Sequence, residues 1–428
     1  MRINHIPLLY NKYKFIDDIR DKYKGKQCFI IATGPSLRMK DVERLENEIT
    51  IGMNSFYRIY DKTQFRPTFK DSVLCVAASD FYEVEDYIRD YDEFVKGVCM
   101  KKINYIAVAG FGWSGSGAVV DLLKEYEGIK DPNVEFRLLK DPYCISDLYH
   151  NLIEKNDPLN YDIAFRDFLW YVNKLMHKAT KWNLNVGLDY EHSFGDDFIK
   201  KSENYIKNLV DFTYEGHWWM FEFKDSKWEF FLRKVKKHLY GKQPTSKMYF
   251  SSPSKEKFID LTKTYIDDLF SQYVDDGITD RIVLDQGVSV QNYQMEMMFL
   301  NDCKLVVVDR DPRDIYTDLC QGRNLIGAEL ADTHCVEKYA IWHKGYRRNI
   351  EQLRSDKSIL YIRFEELVNN YDVTVNKIEK YLGISDDKHI NKFKYFNPDV
   401  SKSHIGMWKT YLSKEEKAEF DRLLSDFY

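Results

Sequence analysis

The sequence predicts an α/β fold built around a parallel sheet. Apolar runs of strand length alternate with helical patterns, which is typical of parallel sheets. One run, Ile103–Ala109, leads through a glycine-rich turn into a helical pattern over Ala118–Lys124. Residues from about 145 to 273 are mostly helical in pattern, with few Gly or Pro breaks. We therefore expect a parallel sheet with a P-loop-like phosphate-binding loop and a large helical insertion.

The glycine-rich turn, Gly110–Gly117, has the sequence GFGWSGSG. A strand that turns through glycines into a helix leaves backbone N–H groups unpaired at the positive end of the helix dipole, and this arrangement holds phosphate. A nucleoside triphosphatase loop would have Lys at Ser116 and Ser or Thr at Gly117. Metal-dependent phosphoryl transfer is therefore disfavoured, and a turn without any ligand stays as the alternative.

Length and composition limit the classes of protein. A chain of 428 residues predicts two domains, which we place at 1–102 and 103–428. The 63 basic and 68 acidic residues give a net charge of −5, which argues against a nucleic-acid partner. Seven cysteines without a C-x-x-C pair indicate no metal site and a reducing compartment. No signal peptide or transmembrane run occurs, so we expect a cytoplasmic protein without a transmembrane segment.

The N-terminal part predicts a small Rossmann-like α/β domain, with strands at Lys26–Thr33, Glu48–Asn54 and Asp71–Asp80. Its segments IIATGPSL and IGMNSFYRIY, with a later Ser-Asp pair, resemble the start of a bacterial family of sialyltransferase-like and motility-associated glycosyltransferases. The resemblance ends near residue 95, so the domain is truncated. It implies that Gly34, Ser36 and Asn54 lie near a nucleotide-sugar site. The alternative, which we favour, is a docking platform.

A second charged turn follows a buried strand near residue 304. Lys304–Val308 is a strand, and it is followed by DRDPRD, which carries Arg310 and Arg313 just before a helical pattern. Guanidinium groups at a strand end beside a helix N-terminus suit a doubly charged phosphate, because Arg donates two parallel hydrogen bonds. The alternative is a surface salt-bridge cluster, because the charges in DRDPRD balance.

Four segments together resemble the sulfotransferase family. The Ser-Gly-Ser core of the turn resembles the family's 5′-phosphosulfate loop, and the Arg310 segment its 3′-phosphate motif. Ile359–Leu367 and residues 401–409 resemble two later motifs. The resemblance implies 3′-phosphoadenosine 5′-phosphosulfate as the sulfate-donor nucleotide, with no metal. The donor-binding residues that it implies are Gly112, Trp113, Ser114, Gly115, Ser116, Gly117, Arg310, Thr317 and Lys402.

This sequence departs from the family pattern at two positions. Trp113 stands where the family has a basic residue, so Lys101, Lys102 or Arg313 would have to supply the cation. Asp318 stands where the family has a phosphate-binding Ser, and Thr317 is the expected substitute.

For the reaction, the resemblance implies sulfuryl transfer to an acceptor hydroxyl or amine, with Ser116 beside the transferred group. We nominate Asp285, at the end of the predicted strand Arg281–Leu284 that precedes the Arg310 strand, as the general base. An equally weighted alternative is that Asp285 caps the following turn. Glu215 and His217 are the alternatives for the base. They lie in a Tyr-Glu-Gly-His-Trp-Trp segment whose aromatic residues stack on a sugar or, as we favour, pack in the core.

The two resemblances together suggest a bacterial surface glycan, or its precursor, as the acceptor. Two other functions stay open. One is a glycosyltransferase-like activity in the N-terminal domain, and the other is a catalytically weak donor-binding scaffold protein in glycan assembly.

Overall fold

A computed structural model describes residues 29–31, 50–52, 103–179, 187–220, 226–241, 245–274 and 276–428. The chain divides into two units, Met1–Cys99 and Met100–Tyr428, and each is treated by itself. The strands are β1 (Phe29–Ile31), β2 (Thr50–Gly52), β3 (Asn104–Gly110), β4 (Ile129–Lys130), β5 (Phe212–Gly216), β6 (Ser246–Phe250), β7 (Arg281–Asp285), β8 (Cys303–Asp309) and β9 (Leu360–Arg363).

The helices all belong to the second unit, as far as the described residues extend. They are α1 (Ser116–Leu123), α2 (Ile145–Tyr149), α3 (Pro158–Met176), α4 (Tyr190–Phe194), α5 (Phe198–Leu209), α6 (Lys227–Tyr240), α7 (Lys255–Phe270), α8 (Tyr293–Glu296), α9 (Pro312–Gly322), α10 (Gly327–Thr333), α11 (Val336–Tyr346), α12 (Ile350–Ser355), α13 (Phe364–Asn369), α14 (Tyr371–Leu382), α15 (Pro398–Ser401), α16 (Trp408–Tyr411) and α17 (Lys414–Leu424). No helix in these ranges is both long and apolar enough to cross a bilayer.

The predicted parallel sheet is confirmed. Five strands pair in the order β4-β7-β3-β8-β9, and every pairing is parallel. In register, Val108 of β3 pairs with Asp285 of β7, and Gly110 pairs with Val308 of β8. The carboxyl ends of these strands therefore meet at one edge of the sheet, which is where open α/β sheets bind ligands.

Both faces of this sheet are buried, which explains why its strands are continuous apolar runs. On β3, Ile106 and Val108 pack with α1, α13 and α14, whereas Tyr105 and Ala107 face the helical insertion on the other side. A third group, which we call the C-terminal cluster, joins α9, α11 and α17. Its buried members are Ile315, Tyr316, Leu319, Cys320, Leu330, Val336, Tyr339, Ala340, Leu412, Phe420 and Leu424.

Two regions differ from what their sequence patterns predict. Residues 133–139 (NVEFRLL) have the composition of a strand, which predicts one before the insertion, but only Glu135 makes a β-bridge, to Asp285, and the sheet edge is the two-residue β4. The insertion also contains an antiparallel hairpin of β5 and β6, so the Tyr214–Trp219 segment is not helical. The aromatics of that segment are not core, since Tyr214 and Trp219 are exposed.

In the first unit, β1 and β2 lie inside two of the predicted strands and pair in parallel, with Phe29 opposite Thr50 and Ile31 opposite Gly52. The third predicted strand, Asp71–Asp80, lies outside the described residues. So do the nominated nucleotide-sugar positions Gly34, Ser36 and Asn54.

Candidate functional site

The glycine-rich turn connects β3 directly to α1. Gly112 has φ +78° and Gly115 has φ +85°, a left-handed conformation that glycine adopts without strain. A Cβ atom on Gly115 would lie 2.5 Å from the ring of Phe364, so the close approach also requires glycine. Gly115 is the N-cap of α1 and offers no side-chain cap. The first backbone N–H groups of α1 therefore remain available to an anion.

The two serines of the turn have different environments. Ser114 is buried, and its hydroxyl oxygen accepts a hydrogen bond from the backbone N–H of Phe111 at 3.2 Å. Ser116 is half-buried at the start of α1, and its Oγ accepts from Nε2 of Gln286 at 2.7 Å. Ser114 therefore shapes the loop, whereas Ser116 lies at the helix terminus where an anion would bind.

The side chain of Trp113 lines the site, and its contacts fix the position of the loop. Its side chain packs against the C-terminal cluster, and its carbonyl oxygen accepts a hydrogen bond from Nη1 of Arg310 at 3.2 Å. The indole therefore brings apolar surface, rather than positive charge, to the position where the resemblance implied a basic residue.

A cavity of about 670 Å³ lies between the start of α1 and the chain segment around residues 393–404. Its lining residues are Trp113, Gly115, Gly117, Ala118, Asp121, Arg310, Asp318, Phe364, Phe393, Lys394, Tyr395, Phe396, Asn397, Val400, Ser401 and His404. The glycine turn and Arg310 thus open onto the same cavity. A lining that combines aromatic rings with charged groups suits a ligand with a flat base and phosphates.

Arg310 is 4% exposed and lies at the end of β8. Its guanidinium donates to the carbonyl of His404 at 2.5 Å and forms an ion pair with Asp318. Its Nε is buried and has no hydrogen-bond partner among the described residues. An unpaired buried donor of this kind carries a free-energy cost.

A buried ion pair holds the strand end that carries Arg310. Nη2 of Arg347, on the turn after α11, lies 2.6 Å from Oδ1 of Asp309, and both side chains are 1% exposed. The Tyr361 hydroxyl also donates to Asp309, at 2.7 Å. Burial opposes ionisation of Asp309, but Arg347 and these hydrogen bonds outweigh burial and keep the pKa of Asp309 below its ordinary value.

Two of the residues predicted at the 3′-phosphate do not reach the cavity. Thr317 is fully buried, and its hydroxyl donates to the carbonyl of Arg313 at 2.8 Å within α9. Lys402 is more than half exposed and pairs with Asp399 at 2.7 Å. Lys394, which the sequence motifs did not indicate, lines the cavity instead.

Of the substitute cations expected for Trp113, only Arg313 belongs to the described residues, and it is bound elsewhere. Arg313 binds Asp311 through two nitrogens, and its guanidinium lies 3.9 Å from the ring centroid of Trp408 and 3.7 Å from that of Tyr428. Lys101 and Lys102 lie outside the described residues. Asp311 and these two rings therefore hold the guanidinium of Arg313, which has a structural role.

The structure instead brings Lys140 toward Ser116. Nζ of Lys140 donates to Oε1 of Gln286 at 3.2 Å, and Nε2 of the same Gln286 donates to Ser116. Burial and the positive charge of Arg137 lower the pKa of Lys140. Lys140 pairs with no carboxylate among the described residues, so its charge is available near the loop. Lys140 and Gln286 are 146 residues apart in the chain, so no sequence motif could predict their contact.

Asp285 ends β7 at the same edge of the sheet. Its carboxylate forms no hydrogen bond to a described residue. Burial, followed by the negative charges of Glu135 and Asp131, raises the pKa of Asp285 to about 6. Of the alternatives, Glu215 lies in β5 and His217 directly follows it, and neither residue lines the cavity. Within the described ranges, no group of three or more His, Cys, Asp or Glu is arranged to hold a metal ion.

These features define a class of protein: an α/β protein with an anion-binding helix terminus and a cavity at the carboxyl edge of a parallel sheet. Residues 289–426 match the family model described as the sulfotransferase domain. The chain thus contains a sulfotransferase domain, and the enzyme class predicted from the sequence is confirmed. The match includes Arg310 and both later motifs, but the glycine turn lies before it. A second family model, described as WxcM-like, C-terminal, matches residues 24–99.

No curated protein matches this sequence. Among solved structures, the sulfotransferase domain of the Synechococcus PCC 7002 olefin synthase is 11% identical and covers 76% of this chain and 94% of its own, with a TM-score of 0.33. A sulfotransferase from Mycobacterium avium is 13% identical, with 81% of each chain covered and a TM-score of 0.32. A mouse sulfotransferase complexed with PAP is 16% identical and covers 37% of this chain and 70% of its own, with a TM-score of 0.26. With scores this low, no residue role is transferred from them.

Proposed function

We propose that the protein transfers a sulfuryl group from 3′-phosphoadenosine 5′-phosphosulfate to a hydroxyl, or an amine, of a surface glycan or its precursor. The observation that carries the proposal is that Gly115 and Gly117, at the start of α1, line one cavity with Arg310. The helix terminus binds the 5′-phosphosulfate, and Arg310 binds the 3′-phosphate of the same nucleotide.

In the reaction, the acceptor oxygen attacks the sulfur while the bond from sulfur to the 5′-phosphate oxygen breaks. Adenosine 3′,5′-bisphosphate leaves with the bonding electrons, and Asp285 takes the acceptor proton. Catalysis then consists of positioning and of fixed positive potential around the transferred group. The N–H groups at the start of α1 and the Ser116 hydroxyl supply part of that potential.

Lys140 supplies the positive charge that Trp113 does not. It reaches the loop through Gln286, whose amide bridges the ammonium and the Ser116 hydroxyl. A sulfate-donor nucleotide that displaces the Gln286 amide brings its phosphosulfate oxygens within reach of the Lys140 ammonium. A buried cation next to a leaving phosphate stabilises developing negative charge more strongly than an exposed one.

We expect Lys140→Ala to lower kcat by about 100-fold while the affinity for adenosine 3′,5′-bisphosphate changes much less. The reason is that the charge is needed most when the 5′-phosphate leaves. The matched control is Lys124→Ala, because Lys124 follows α1 but is held by Asp121 and Asp131 at 3.1 and 2.9 Å. Equal kcat values for the two variants would remove Lys140 from the mechanism.

A pH profile tests Asp285. A general base works when ionised, so kcat/KM should rise tenfold per pH unit up to about pH 6, where Asp285 loses its proton, and then level off. Asp285→Asn should lower the rate by about 100-fold or more and remove this acid limb. Glu135→Gln removes one of the charges that raise the pKa, so it should shift the limb to lower pH. A limb that persists in Asp285→Asn would assign the base to another residue.

The acceptor is tested by incubating the protein with radiolabelled sulfate donor and fractionated cell-envelope extracts. Label in a glycan or lipid-linked fraction supports the proposed acceptor, whereas label in another fraction would identify a different acceptor.

The competing scaffold function is favoured by Trp113 and by the Arg310–Asp318 ion pair, since both reduce free positive charge at the site. It predicts tight nucleotide binding with no labelled product in any fraction.

A further inference from the structure

Helix α6 has no buried side chain along its length. Both ends of the helix are capped by local sequence: Ser226 and Glu229 make a capping box, and Gly241 ends the helix with φ +62°. Most helices of this length are stabilised by packing an apolar face against the protein. Helix α6 has an apolar face, yet no described part of the chain covers it.

The apolar residues of α6 fall on one side. At 3.6 residues per turn, Trp228, Phe231, Leu232, Val235 and Leu239 share a single arc of the helix surface. Exposed fractions are 66% for Trp228 and 70% for Leu239, and the rings of Trp228 and Phe231 stack with centroids 5.6 Å apart. Three residues of the helix are partly buried: Phe230 and Arg233 lie outside this arc, and Val235 lies within it, whereas its other four members are exposed. The apolar arc therefore faces solvent.

The rest of the helix surface is strongly basic. Helix α6 carries five basic residues and one acidic residue, Glu229, which gives five minus one, or +4, in a chain whose net charge is −5. The basic residues are Lys227, Arg233, Lys234, Lys236 and Lys237. On the helical wheel Lys227 and Lys236 flank the apolar arc, and the others lie farther round. An exposed apolar arc with flanking lysines is the pattern of helices that lie in the plane of a membrane surface.

We infer that α6 docks the protein on a bilayer surface that contains anionic lipid. The aromatic and aliphatic side chains enter the boundary between head groups and acyl chains, and the lysine ammonium groups contact lipid phosphates. Charge decides against a symmetric contact between the α6 helices of two copies, because two helices of net charge +4 facing each other repel. This inference is independent of the donor chemistry, since none of these residues lines the donor cavity.

The test uses the full-length protein and co-sedimentation with vesicles. Wild-type protein should bind vesicles with about 30% phosphatidylglycerol at least ~10-fold more tightly than pure phosphatidylcholine vesicles, and binding should weaken between about 0.1 and 0.5 M salt. The double variants Trp228→Ser/Leu239→Ser and Lys234→Glu/Lys237→Glu should each lose at least ~10-fold in affinity. Unchanged melting curves show that these surface variants remain folded.

Matched controls distinguish binding through α6 from nonspecific adsorption of the protein to vesicles. Ile341→Ser removes an apolar side chain that is 69% exposed on α11, and Lys414→Glu reverses an exposed charge on α17; neither should change vesicle binding. The inference is overturned if wild-type protein does not bind anionic vesicles, or if the α6 variants bind as well as the wild type. It is also overturned if those variants abolish a concentration-dependent dimer, because the face would then be an interface between copies.

Discussion

Replacing Arg310 with Ala should reduce the affinity for adenosine 3′,5′-bisphosphate at least ~100-fold, measured by calorimetry. The guanidinium makes charge-assisted hydrogen bonds with the 3′-phosphate, each of which is worth about 1.5–3 kcal/mol. Arg310 lines the same cavity as Gly115 and Gly117, so it lies on the wall that the nucleotide contacts. An unchanged affinity would show that the 3′-phosphate binds elsewhere.

Two further variants test whether the loss of nucleotide affinity is specific to Arg310. Arg313→Ala is the matched control, since Arg313 is three residues away but its guanidinium is held by Asp311 and two aromatic rings. It should alter stability and leave nucleotide affinity nearly unchanged. Asp318→Ser removes the carboxylate that competes for Arg310 and restores a hydroxyl, so affinity should rise about tenfold. Weaker binding in Asp318→Ser would mean that the carboxylate positions Arg310 rather than competing with the ligand.

Replacing Arg347 with Met should lower the free energy of unfolding by about 3–5 kcal/mol, because it leaves the Asp309 carboxylate buried without its cation. Urea denaturation measures the change. Part of the loss should be recovered in the double variant Asp309→Leu/Arg347→Met, which leaves no buried charge unpaired. The control is Arg323→Met, whose pair with Asp332 is more than half exposed and contributes little.

The same ion pair gives stability a defined pH dependence. The pKa of Asp309 is lower in the folded state than in the unfolded chain, so its contribution is present above the unfolded pKa, near 4, and is lost as pH falls through the folded value. Wild-type protein should therefore lose more stability below about pH 4 than the double variant does. Parallel losses in the two proteins, or equal effects of Arg347→Met and Arg323→Met, would contradict this account.

The sequence predicted those parts of the fold that depend on local pattern. Ile103–Ala109 and Lys304–Val308 lie almost wholly within β3 and β8, because strands buried on both faces are continuous apolar runs. The glycine turn was also recognisable, since its conformation needs glycine at fixed positions. By contrast, residues 133–139 have the composition of a strand but pair with β7 only at Glu135. Pairing of this kind depends on neighbours that are distant in sequence.

The chemistry of the site was less predictable, because it depends on contacts across long sequence separations. Position in a motif suggested Lys402, but Asp399 holds that side chain at the surface. Lys140 belongs to no motif, and only the fold brings it to Gln286. Asp318 was recognised as a departure, but its ion pair with Arg310 follows from the helical geometry of α9.

The charges around the cavity have a consequence for how a nucleotide arrives. Its lining contains two cationic residues, Arg310 and Lys394, and two anionic residues, Asp121 and Asp318, so these four formal charges cancel. A wall of balanced charge projects little field into solvent, and it does not steer a polyanion from a distance. Nucleotide association should therefore be slow for a phosphate-binding site and nearly insensitive to ionic strength, so capture relies on short-range contacts made after random encounter.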